Sequence, residues 1–147
     1  MSDVNQEIST HIPNFCVRLS PTPRGARLAR LLATEQLRSW GLPLDPAVHV
    51  VGELAVNAAT HGRVAGRDFR LVLYVVADTL RIEVTDTRGD LLPRAGSGLG
   101  LRLVDALADR WGTTPGLAPR KTVWAEIGLA EEEREFRARP VSGTGRC

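Results

Sequence analysis

Apolar and polar positions change period several times along this chain, and each change marks an element. Residues 15–19, Phe-Cys-Val-Arg-Leu, alternate weakly and predict a short first strand. Ser20-Pro21-Thr22-Pro23 breaks it. Thr22 before Pro23 suits a helix start: the hydroxyl accepts an orphan backbone N–H, and proline has none to lose there. Leu28, Leu31, Leu32 and Leu37 then recur at helical spacing to about Trp40, where Gly41 provides a stop. Asp45-Pro46 opens a second helix in the same manner, running to about His61 with Gly62 as its stop. Residues 68–77 are rich in Val and Leu, and residues 80–85 alternate Leu, Ile and Val with Arg, Glu and Thr. The two-residue link Asp78-Thr79 makes these an antiparallel hairpin. Residues 86–96 form a loop with Gly and Pro. A third helix is predicted from Gly98 to about Arg110, and residues 113–120, with two prolines, read as a turn-rich connection. Residues 122–127 supply the last strand.

Mixed helices and adjacent antiparallel strands predict an α+β fold, with helices on one face of an antiparallel or mixed sheet in two layers. A single domain is expected over residues 14–130. It is preceded by a loose segment, 1–13, and followed by a charged tail containing Gly and Ser, 131–147.

Composition narrows the classes. The 147 residues are 43% hydrophobic, enough for a packed core. A net charge of +2 does not mark a dedicated nucleic-acid binder, so no direct nucleic-acid partner is expected. The longest apolar run, residues 71–77, is too short to cross a bilayer as a helix, so no membrane partner is expected either. The first residues lack the basic and apolar regions of a secretory signal. Cys16 and Cys147 offer no disulfide framework and no zinc spacing, and a cytoplasmic location is the expectation.

Four features carry candidate chemistry. On the second helix Glu53, Asn57 and His61 stand four residues apart and share one face, among small or apolar neighbours. A stripe so narrow suits the lining of a cleft, where a carboxylate and an amide one turn apart can serve metal and water chemistry. The plain alternative is a helix with a thin exposed face. Gly96-Ser97-Gly98-Leu99-Gly100 precedes a helical pattern. Such a run lets backbone approach a phosphate at a helix start, or is simply a flexible loop. A dinucleotide fingerprint is excluded, because Leu92-Pro93-Arg94-Ala95 is no strand and Arg120 stands where an acidic residue is needed. Asp86, at a strand end, can accept a hydrogen bond from an exocyclic amine or merely form a turn. Lys121 and Thr122 bring a charge and a hydroxyl to the last strand, or form a basic turn into the core.

Taken in order, these features resemble the GHKL ATPase superfamily, and within it the small bacterial anti-sigma-factor serine/threonine kinases and related actinobacterial ATP-binding regulators. Residues 53–62 (ELAVNAATHG) are similar to that family's N box, and residues 98–112 and 121–126 match it as well. The resemblance spans residues 23–128 and implies the Bergerat-type fold. It implies ATP and Mg²⁺ as cofactors, with Asn57 as the Mg²⁺ ligand and Glu53 as general base on an attacking hydroxyl. It implies Asp86 as acceptor of the adenine amino group. Gly89, Gly96, Gly98, Leu99 and Gly100 would hold the nucleotide, and Thr122 would support a water network around the base. The implied partners are a small protein antagonist, a sigma factor, or a second copy in a homodimer. His61 stays outside the catalytic set. Two departures are visible. Arg88 and Asp90 stand where the family's Asp-x-Gly-x-Gly motif has glycines, and about six residues separate Gly89 from Gly96, a short lid. These leave a non-catalytic ATP-dependent switch open beside the kinase. A histidine kinase does not fit, since the helix of residues 23–40 contains no His.

Overall fold

The computed structural model describes residues 13–61, 64, 66–87, 101–117, 119–129 and 147. Five strands form one sheet: β1 (Asn14–Leu19), β2 (Phe69–Val76), β3 (Thr79–Asp86), β4 (Arg110–Pro115) and β5 (Lys121–Gly128). Their spatial order is β1-β2-β3-β5-β4, and every neighbouring pair is antiparallel. Three helices, α1 (Pro23–Ser39), α2 (Ala47–Thr60) and α3 (Leu101–Leu107), accompany it. The fold is α+β, as the sequence pattern implies.

Strand alternation separates the two sheet faces. Phe69, Leu71, Leu73 and Val75 of β2 are buried, as are Leu80, Ile82 and Val84 of β3 and Val123, Ala125 and Ile127 of β5. These positions meet the helices in one core cluster. The intervening positions form a second, more polar face, on which Arg81 lies 4.3 Å from the Trp124 ring centroid and donates to Glu83 and Glu126. α2 is the innermost helix. It packs against α1, α3 and three strands, and its buried Ala47, Ala55, Ala58, Ala59 and Gly52 allow that close approach.

Local signals explain the helix ends. The Thr22 hydroxyl accepts the Gly25 N–H at 3.1 Å, and Pro23 is the first helical residue. Gly25 is required there, because a Cβ would lie 1.9 Å from the Ser20 carbonyl oxygen. Gly41, at φ 73, ends α1 in the left-handed conformation glycine favours. α2 starts at Ala47, with no side chain capping it; Asp45 instead faces His49 at 3.3 Å.

Three expectations are corrected. The hairpin turn is Ala77-Asp78, one residue earlier than predicted, since Val76 pairs with Thr79. The third helix ends at Leu107 rather than near Arg110, and Arg110–Pro115 is a strand paired with β5. It is an edge strand among the described residues and lacks apolar alternation, so the pattern gave no strand signal. Its Trp and Thr residues favour extended backbone, and an edge tolerates Pro115. Finally, Cys16 and Cys147, 131 residues apart, are joined as a disulfide. That removes the thiol-based ground for a reducing compartment. None of the described helices is long and apolar enough to cross a membrane.

Candidate functional site

The stripe on α2 is unlike an ordinary solvent face. Glu53, Asn57 and His61 are each half-buried, while the apolar Val56 beside them is 49% exposed. Asn57 Nδ2 is buried and has no hydrogen-bond partner among the described residues. Buried amide groups are normally satisfied, so an orphan there asks for a group that would complete it. Glu53 makes no hydrogen bond or ion pair among the described residues. The His61 backbone N–H donates to the Asn57 carbonyl at 2.8 Å, a helix-ending role. No three His, Cys, Asp or Glu side chains are grouped as a metal site among the described residues.

α2 packs on β3, and β3 ends at Asp86. Ile82, Val84 and Asp86 alternate inward, which puts the Asp86 carboxylate on the helix side of the sheet, 6% exposed. Register then decides its neighbour. Asp86 pairs with Lys121, and Lys121 Nζ lies 3.5 Å from Asp86 Oδ2 with both side chains buried. Thr122 is the next residue and so lies on the other face. It pairs with Thr85, hydroxyl to hydroxyl at 2.7 Å. The structure therefore does not bring Thr122 to Asp86; Lys121 occupies that place. The sequence reading chose the hydroxyl over the charge, and only strand parity distinguishes them.

The glycine-rich segment cannot be joined to this geometry. Gly89, Gly96, Gly98, Leu99 and Gly100 lie outside the described residues, as do Arg88, Asp90 and Arg94. The described helix α3 begins at Leu101, directly after Gly100.

No protein-family model matches the chain, and no curated protein does.

A concavity of about 290 Å³ opens where β2 begins and β3 ends. Arg18, Arg67, Arg70 and Arg120 line it, beside Thr85 and Asp86. Sequence reading missed this group, because its members come from four separate places along the chain.

Proposed function

We propose that this protein binds Mg-ATP along the α2 stripe and beside Asp86, on a GHKL-type fold, as a regulator resembling the anti-sigma-factor serine/threonine kinases. One observation carries the nucleotide part. A half-covered Glu53–Asn57 stripe with an orphaned amide runs along a helix packed on the strand that ends in a buried, inward-facing carboxylate. The partner part, a small protein antagonist whose Ser or Thr is modified, rests on the sequence resemblance, and the compartment in this reading is the cytoplasm.

The donor set fits the cofactor. Amide oxygen and nitrogen exchange by a simple flip, so Asn57 can turn its oxygen to a cation. Mg²⁺ takes few protein ligands and completes its shell with water and phosphate oxygens. Asp86 is an acceptor for an exocyclic amine, which selects adenine over guanine. When bound, Mg-ATP supplies the phosphoryl group. Glu53, one turn before Asn57, would take the proton of the attacking hydroxyl.

A second reading, an ATP-dependent switch without transfer, is favoured by Lys121. Its ammonium already engages the carboxylate that would select the base. Calorimetric titration of Mg-ATP, beside Mg-GTP and beside Asn57→Ala and Asp86→Asn, tests the common part. Saturable ATP binding weakened in both variants, with GTP silent, is expected. No heat from ATP at millimolar concentration sinks both readings. If ATP binds, Glu53→Gln separates them: the kinase requires that turnover falls while binding persists, whereas the switch requires equal and negligible turnover in both proteins.

A further inference from the structure

Arg18 and Arg70 are direct cross-strand partners on the β1–β2 ladder. Like charges directly opposite one another destabilise a sheet. Arg67 enters from the segment before β2 and Arg120 from the residue before β5, and all four arginines line the same cavity of about 290 Å³. None of the four forms an ion pair with a described residue. Arg38, Arg81 and Arg110, by contrast, each meet a glutamate. Arg70 Nε is, moreover, buried without any hydrogen-bond partner. A buried guanidinium N–H left unsatisfied is costly, and convergent like charges add to that cost.

Two carboxylates also line the cavity, Asp68 and Asp86. Asp86 is engaged by Lys121 and Asp68 is exposed, so a positive surplus remains. A singly charged carboxylate would leave much of it uncompensated. A phosphate monoester carries about −1.5 to −2 at neutral pH and offers several acceptor oxygens to guanidinium forks. Thr85 adds a hydroxyl on the same sheet row as Arg18 and Arg70. The volume suits a phosphate with a small substituent better than a whole nucleotide.

We infer that this cavity is a phosphate-group site, distinct from the α2 stripe, and that Arg70 is its anchoring residue. Glu53 and Asn57 do not line it, and Asp86, at its rim, is the one residue the two sites share. This site does not rest on the nucleotide reading. The ligand is free phosphate or a phosphate monoester, and the shared group is what the arginines recognise.

The test titrates the full chain with inorganic phosphate and, separately, with O-phosphoserine, followed by calorimetry at low salt. Saturable binding of at least one probe is expected, weakening as sodium chloride is raised, because part of the attraction is screened. Tighter binding of O-phosphoserine would identify the ester as the source, and equal binding would identify the phosphate group alone. Arg70→Gln should weaken binding about tenfold or more, and Arg70→Lys should recover only part of it, since lysine keeps the charge and loses the fork. Arg18→Gln, on an exposed side chain, should weaken binding while melting no lower than the wild type, because it relieves a like-charge pair. Asn57→Ala should leave phosphate binding unchanged, which separates failure here from failure of the nucleotide site. No binding of either probe at tens of millimolar, or binding indifferent to Arg70→Gln and Arg18→Gln, overturns the inference.

Discussion

Glu126 sits at the centre of the polar sheet face. It accepts hydrogen bonds from Arg110 and from Arg81, and these hold its carboxyl below the ordinary value of 4.5. A carboxyl lowered in the folded state stabilises above its unfolded pKa, and that contribution is lost as pH falls through the folded value. Glu126→Gln should therefore melt lower than wild type from neutral pH down to about pH 5, with the gap closing below about pH 4 as the wild-type carboxyl protonates. A gap that stays constant to pH about 2.5 would show that the ion pairs contribute nothing that titrates. Tyr74 is raised from 10.0, first by burial and then by the nearby Glu83 charge, so it stays neutral throughout that range. On the inner face Asp86 and Lys121 form the other pair worth measuring. Removing one member of a buried pair costs about 3 kcal/mol. Asp86→Asn and Lys121→Met should each destabilise, and the double variant should cost clearly less than their sum. Strict additivity in urea unfolding would mean that the two groups do not interact. This pair was half legible in the sequence. Asp86 stands out at a strand end, but the resemblance favours Thr122 over Lys121, because choosing between them needs the register of a strand 35 residues away.

At the level of elements, what was legible depended on how local the cause is. The start of α1 follows from four consecutive residues and was readable from them. The β2–β3 hairpin was readable too, but its turn fell one residue off. Ala77 takes φ 56, and nothing in its side chain announces a left-handed conformation. Ala77→Gly should raise stability by about 0.5–1 kcal/mol, since glycine adopts that φ without a Cβ conflict; a lower melting temperature would show the residue to be unstrained. β4 was invisible, because its reason lies across the sheet. Gly112 faces Trp124 on β5, where a Cβ would come within 2.8 Å of the ring. The ring in turn carries Arg81 on its face. Gly112→Ala should cost about 1–3 kcal/mol through that overlap, and should shift the tryptophan fluorescence of the folded state. Unchanged fluorescence and unchanged stability would mean that β4 does not hold this distance. The α2 stripe was the opposite case: helical periodicity alone revealed it, since neighbours at four-residue spacing are fixed by the helix itself.

At the scale of the molecule, the two-layer arrangement followed from element order and strand alternation, whereas the closure of the chain did not. Cys16 lies on β1, whose ladder partner among the described residues is β2 alone. Its disulfide to Cys147 spans 131 residues, so it ties the last residue to that strand across nearly the whole sequence. Two cysteines so far apart in sequence give no local signal of pairing, which is why they read as separate thiols. A cross-link of this span restricts the unfolded chain more than the folded one and typically contributes about 2–4 kcal/mol. Unfolding the protein in guanidinium without reductant, and titrating it with a thiol reagent, should reveal no free thiol; two should appear after reduction. Cys147→Ser, or reduction of the wild type, should lower the melting temperature by several degrees, and reductant should have no further effect on the variant. Two reactive thiols in the unreduced protein would overturn the pairing. The edge of the sheet would then be held by β2 and the α1 contacts alone, and the thiol-based argument for a reducing compartment would regain its footing.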